Sequence, residues 1–102
     1  MIKYDELFKY ALVKTKLEDA DFWIQKRGNA VGLPVMEYSE HNIGIKLNAL
    51  GRSVIDPRFL WYQFEFLHAR GEWTKEIRGS VIPFISVSSV KNILVAVDVP
   101  DD

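Results

Sequence analysis

The chain has 102 residues, of which 48% are hydrophobic and 26% charged, and its formal net charge is −1. These proportions exclude wholesale disorder, and two half-length domains would each bury too little surface, so we predict one domain over residues 1–102. Because there is no global excess of positive charge, any binding of DNA has to use a local basic patch.

Several kinds of chemistry lack the residues that they need. The sequence contains no cysteine, which excludes disulfides and thiolate metal sites. It has no phosphate-binding loop or nucleophile elbow, and His41 and His68 lack the spacing of a zinc site. No signal peptide is visible, and no apolar run approaches the ~18 residues of a membrane span. We therefore expect a complete, cytoplasmic protein that is not an enzyme, needs no cofactor or metal, and does not contact membranes.

The N-terminal part of the sequence predicts a helix and then a strand. From Tyr4 to about Lys14, apolar residues recur at three- and four-residue intervals behind an acidic pair, which is typical of a short amphipathic helix. The compact apolar stretch 20–27 ends in Gly28-Asn29, which indicates a buried strand followed by a turn.

Two further strands are predicted before the middle of the chain. Pro34 lacks a backbone donor, so any strand within 30–36 is short or lies at an edge. Residues 42–48 alternate apolar with smaller or polar side chains, the pattern of a half-buried strand.

An aromatic-rich segment in the second half predicts the main helix. Asp56-Pro57 is a favourable helix start, and the helix should run to His68 or Arg70. Because it is apolar on almost every face, we expect it to be central or to lie at an interface. The alternation of aromatic side chains at 62, 64 and 66 favours a strand as the competing interpretation.

The C-terminal elements are short. Gly71 should end the main helix, with one more turn over 72–77. The remaining predictions are a strand over 81–86, a helical turn over 88–92 and a closing strand over 93–99. The fold class is therefore α+β: a small mixed or antiparallel sheet, a short N-terminal helix and one central aromatic-rich helix.

Four short sequence motifs follow one another between Ile55 and Val97. They are Asp56-Pro57-Arg58-Phe59-Leu60-Trp61-Tyr62, Gly79-Ser80, Pro83-Phe84-Ile85-Ser86 and Val90-Lys91-Asn92-Ile93. In order and spacing they resemble the target-recognition domain of type I restriction-modification specificity subunits. The stretch 21–32 is similar to a motif that lies nearer the N-terminus in that family, in which a strand leads into a glycine-containing turn. The chain departs from the family in having Leu94 and Ala96 where prolines are common, and in lacking a long helical spacer.

The resemblance implies a minimal recognition domain that presents loops to a groove of double-stranded DNA. In such a domain, phosphate contacts set the register and base edges supply the sequence. The polar loop residues are then the candidates for DNA binding: Lys26, Arg27 and Asn29 around the first turn, and Arg78 and Ser80 around the second. A methyltransferase-type subunit or a second copy of the chain would be the protein partner.

Two other functions remain open. A protein-interaction module could keep the fold and lose DNA binding, with its basic side chains dispersed or salt-bridged and the helix 59–66 mediating self-association. A small metal-dependent nuclease would need Asp21 and another carboxylate to converge around one ion, with Lys26 close by.

Overall fold

The computed structural model describes residues 2–79 and 81–98, and its strands form two antiparallel sheets. The strands are β1 (Ile2–Glu6), β2 (Ala11–Thr15), β3 (Phe22–Ile24), β4 (Pro34–Val35), β5 (Ile43–Leu47) and β6 (Leu94–Asp98). The larger sheet has the order β2-β5-β3-β4, and β1 pairs with β6 in a separate two-stranded ribbon. The α+β class and the antiparallel pairing agree with the sequence-based prediction.

The helices are α1 (Ala49–Val54), α2 (Pro57–Ala69) and α3 (Val87–Lys91), with 3-10 turns at Leu7–Lys9 and Glu72–Glu76. The aromatic-rich helix α2 is confirmed, and the competing strand is wrong. The Asp56 carboxylate accepts the Arg58 backbone N–H at 2.8 Å, and this contact, with the Arg58 guanidinium, holds the pKa of Asp56 below its usual 3.8. Gly71, at φ 70°, follows the end of the helix.

The helix predicted for Tyr4 to Lys14 is wrong. That segment forms β1, a 3-10 turn and β2, with β1 paired along its length to β6 and β2 to β5. Within β2, Ala11 and Val13 are buried and Leu12 is exposed, so the side chains alternate with a period of two. Long-range pairing therefore outweighs a local spacing that also fits a helix.

The strand predicted for 81–86 is also wrong. This segment has only isolated bridges at Phe84, because Pro83 has no N–H to donate to a ladder. The helical turn begins earlier than predicted, at Val87, where the Ser86 hydroxyl accepts the Ser89 backbone N–H at 3.2 Å. The closing strand is confirmed as β6, and its predicted last residue, Val99, lies outside the described residues.

The core lies between α2, the larger sheet and the ribbon. Phe22 on β3 packs edge-on against Phe64 on α2 with ring centroids 5.7 Å apart, and Phe64 stacks on Trp73 at 6.1 Å. Only Leu60 and Phe64 of α2 are fully buried, and Trp61 packs partly buried against the core. The helix therefore buries one stripe, and its other aromatic side chains, Phe59, Tyr62 and Phe66, are exposed.

The Asn48 side chain joins α1 to the 3-10 turn Leu7–Lys9, and replacing it should weaken the fold. Its side-chain oxygen accepts the Gly51 N–H at 2.8 Å, and its Nδ2 donates to the Lys9 carbonyl at 3.0 Å. We expect Asn48→Ala to lower the free energy of unfolding by about 1 kcal/mol, measured by urea denaturation. Asn48→Asp, which keeps the acceptor and loses the donor, should lose less. Equal losses in the two variants would show that the cap contributes nothing.

Candidate nucleic-acid interface

The first predicted turn is held by backbone hydrogen bonds just beyond the end of β3 and just before β4. Gln25 donates to the Leu33 carbonyl at 3.0 Å, and Gly32 donates back to the Gln25 carbonyl at 2.8 Å. Inside this turn Lys26 is half-buried, whereas Arg27 and Asn29 are exposed. The turn therefore presents the predicted side chains from a fixed backbone.

The second predicted loop is closed by a reciprocal pair of backbone hydrogen bonds. The Arg78 N–H donates to the Phe84 carbonyl at 2.8 Å, and the Phe84 N–H donates to the Arg78 carbonyl at 2.9 Å. Gly79 takes φ 91° immediately after the closure. The Arg78 side chain is exposed, and Ser80 lies outside the described residues.

One short segment, 83–85, joins the two loops. Phe84 bridges Arg78 on one side and Arg27 on the other. The Gly28 N–H donates to the Pro83 carbonyl at 2.9 Å, and the Ile85 N–H donates to the Lys26 carbonyl at 2.8 Å. Segments that are distant in the sequence are thus hydrogen-bonded side by side.

The geometry of this pairing puts the two arginines on the same face. Directly opposed residues of antiparallel segments project their side chains to one side, so Arg27, Phe84 and Arg78 share a face. Strand spacing places the two arginine backbones about 10 Å apart, on either side of Phe84. We call Lys26, Arg27, Asn29 and Arg78 the basic edge.

The cations of the basic edge are not neutralised by carboxylates in the described part of the chain. Lys26 and Arg78 have no ion-pair partner there, and the Arg27 Nη2 lies 3.5 Å from the His41 Nδ1. A guanidinium can only donate, so the His41 Nδ1 accepts. The His41 Nε2 lies 3.6 Å from a carboxylate oxygen of Glu40.

Five of the other basic side chains are paired with carboxylates. The ion pairs are Lys9 with Asp5, Lys46 with Asp19, Arg52 with Asp21, Arg58 with Asp56 and Arg70 with Glu72. Hydrogen bonds from the lysines lower the pKa of Asp5 and of Asp19 below the usual value. Within the described residues, the cations of the basic edge differ from these five in having no ion pair, a property that they share with Lys3, Lys14, Lys16, Lys75 and Lys91.

Apolar side chains beside the basic edge were missed by the sequence analysis. Ile82 and Phe84 line a shallow cavity of about 240 Å³ together with Lys26 and Arg27. Val81 is 89% exposed. Assigning 81–86 to a strand hid these residues, and the signal that could have revealed them is a loop bracketed by Gly79 and Pro83.

The neighbouring carboxylates Asp19 and Asp21 are engaged in contacts within the fold. Asp21 accepts the Leu47 N–H and an Arg52 guanidinium N–H, each at 2.8 Å, and Asp19 pairs with Lys46. Across residues 2–79 and 81–98, no three His, Asp or Glu side chains converge in a way that could hold a metal ion. Both oxygens of the Asp21 carboxylate accept hydrogen bonds from the fold.

His68 anchors the first turn to the main helix. Its Nδ1 lies 2.9 Å from the Val31 carbonyl, an acceptor, so this nitrogen carries the proton and donates. The contact joins the last turn of α2 to the loop that carries Lys26 and Arg27, which gives His68 a positioning function.

A membrane crossing would need a helix longer and more apolar than any that the described residues form.

The fold and the basic edge together define an α+β domain that displays two joined loops at one edge. The same fold occurs in the crystal structure of the S subunit of a type I restriction-modification system from M. genitalium, with a TM-score of 0.69 and 14% sequence identity. The match covers 94% of this chain and 34% of that subunit, so the chain spans about a third of its length. The structure therefore has the fold that the resemblance implied.

No protein-family model matches the sequence. The comparison with curated proteins also gives no match.

Proposed function

We propose that this chain is a non-catalytic recognition domain that binds double-stranded DNA through the basic edge. It acts in the cytoplasm as a single domain over residues 1–102, without a cofactor. Arg27, Arg78 and Lys26 contact phosphates, and Asn29, whose amide both donates and accepts, is available to a base edge. Ser80, two residues after Arg78 in the sequence, is proposed as a further contact.

The observation that carries this proposal is the placement of three cations, which form no ion pair among the described residues, on two loops joined through Phe84. Neutralising phosphates releases counterions from the duplex, a gain that requires positive side chains not already occupied by carboxylates. Both loops are tied by backbone hydrogen bonds, so little conformational entropy is lost when they meet DNA.

The shared fold supports a subunit role. The similar protein is a subunit of a type I restriction-modification system and is about three times longer than the matched region, which covers 34% of it. We propose that this chain pairs with a methyltransferase-type subunit, or with a second copy of itself, as a DNA-recognition part of such a system or as an accessory to it.

Binding of the purified chain to random-sequence duplex DNA, followed by mobility shift at low and then physiological salt, tests the proposal. We expect binding that weakens as salt rises, and at least about a tenfold loss in Arg27→Ala/Arg78→Ala. The control, Lys9→Ala/Arg58→Ala, removes the same charge from positions that pair with Asp5 and Asp56. Equal losses in both variants, or no shift even at low salt, would overturn the proposal.

A second candidate function is favoured by the exposed aromatic side of α2. Tyr4, Phe59, Tyr62, Phe66 and Leu94 line a groove of about 360 Å³ between the helix and the ribbon. Apolar patches of this kind commonly meet protein, which would make the chain an interaction module that associates with itself. Concentration-dependent sedimentation abolished by Tyr62→Glu, together with no binding of DNA, would favour this function over DNA recognition.

A further inference from the structure

We propose that the tip of the loop beside Arg78, formed by Val81 and Ile82, contacts thymine methyl groups in the major groove. The chain would then prefer sites with A·T pairs under this loop. The inference rests on the proposed binding of duplex DNA by the basic edge, and it assigns to that site a part of its sequence preference.

The first support is the exposure of this tip. Val81 is 89% exposed and Ile82 is 56% exposed, although both side chains belong to types that are normally buried. The two are adjacent in a loop whose ends are fixed by the reciprocal Arg78–Phe84 hydrogen bonds. Val81 and Ile82 thus form a small exposed aliphatic surface on a loop that the Arg78–Phe84 hydrogen bonds close.

The second support is the placement of charge around the tip. Arg78 lies at the base of the loop, and Arg27 lies across Phe84 from it on the same face. Ile82 itself shares a cavity of about 240 Å³ with Lys26 and Arg27. An apolar tip flanked by cations matches a groove whose walls are phosphates and whose floor offers apolar groups.

The chemistry of the groove identifies the group that such a tip would contact. In the major groove a thymine displays its C5 methyl group, and apolar side chains discriminate it by contact. That groove is about 12 Å wide and accepts a two-stranded ribbon, so it can accept a loop closed by one antiparallel pair. Valine and isoleucine cannot hydrogen-bond to base edges, so discrimination at this position depends on the methyl group.

The test compares thymine with uracil, which differs only in lacking the methyl group. Duplexes enriched by the wild-type chain from a random pool are synthesised with thymine and again with uracil, and both affinities are measured. We expect the uracil form to bind about fourfold more weakly for each methyl group contacted. Val81→Ala/Ile82→Ala, which shortens both apolar side chains, should reduce this difference and keep the salt dependence, because its substitutions remove no charge.

The charge variant separates this inference from the proposed function. Arg27→Ala/Arg78→Ala should bind both duplexes more weakly and keep the ratio between them. Equal affinity of the wild-type chain for the thymine and uracil forms, or an unchanged ratio in Val81→Ala/Ile82→Ala, overturns the inference and leaves DNA binding intact. Failure to bind any duplex overturns both. Binding to phosphatidylserine vesicles and not to DNA would assign the loop to a membrane surface, which also contradicts the inference.

Discussion

Replacing Gly32 with alanine is expected to destabilise the protein by about 3 kcal/mol and to lower its Tm by about 15 °C. Gly32 has φ +84°, and a Cβ there would lie 2.1 Å from the Trp73 Nε1. The Trp73 ring cannot yield easily, because it is only 3% exposed and stacks on Phe64. The backbone strain at positive φ and the overpacking against Trp73 therefore both contribute to the loss of stability. Thermal and urea unfolding followed by circular dichroism give both quantities.

The matched control for this change is Gly28→Ala in the same turn. Gly28 also has a positive φ, +94°, but a Cβ added there would have no atom within 4 Å beyond its chain neighbours. We expect Gly28→Ala to cost only about 1 kcal/mol, the conformational part alone. If both variants lost the same stability, the contact between Gly32 and Trp73 would not constrain the turn that carries Lys26 and Arg27.

Replacing Phe64 with alanine is expected to lower the free energy of unfolding by about 4 kcal/mol, a large part of the ~5–15 kcal/mol available to a domain. Phe64 is fully buried and lies between Phe22 and Trp73, with ring centroids at 5.7 and 6.1 Å. Its removal leaves a cavity at the contact between α2 and the sheet. Urea unfolding followed by tryptophan fluorescence measures the loss.

Phe66→Ala, two residues along the same helix, is the control. Phe66 is 58% exposed, and its ring centroid lies 5.3 Å from the Arg70 guanidinium carbon. We expect a loss of less than about 1 kcal/mol, because little apolar surface returns to water and the cation–π contact is solvated. A large loss in Phe66→Ala would mean that the outer side of α2 is covered in solution.

Elements with strong local signals were predictable from the sequence. The start of α2 depends on Asp56 and Pro57, whose effects act within one turn of helix. The alternation in 42–48 predicted β5, and Pro34 correctly limited β4 to two residues at the sheet edge. In each case adjacent residues determine the outcome, so no knowledge of distant partners is needed.

Elements that depend on distant partners were not predictable. The segment from Tyr4 to Lys14 becomes two strands because β6 and β5 pair with it from far along the chain. The short helix α1 is held by Asn48, whose amide reaches back to the Lys9 carbonyl. A three- or four-residue spacing of apolar residues cannot reveal such pairings, so the sequence favoured a helix from Tyr4 to Lys14.

The candidate site was only partly predictable, because its residues carry local signals but their contact depends on a segment distant in the sequence. Glycine turns and neighbouring basic residues marked Lys26, Arg27 and Arg78 individually, and the resemblance to a recognition domain grouped them. Their joining depends on segment 83–85, which hydrogen-bonds to both loops and which the sequence analysis assigned to a strand. The exposed apolar side chains of Val81 and Ile82 follow from the same pairing, and their signal in the sequence is the bracketing of the loop by Gly79 and Pro83.

The central claim, that the basic edge contacts duplex DNA, is tested most directly by locating the contact on the protein. The measurement is a titration of ¹⁵N-labelled protein with a short random-sequence duplex at low salt, followed by amide chemical shifts. We expect the largest shift changes within 25–29 and 78–85, reversing as salt is added. Changes concentrated on the exposed aromatic side of α2, or no changes at all, would contradict the account.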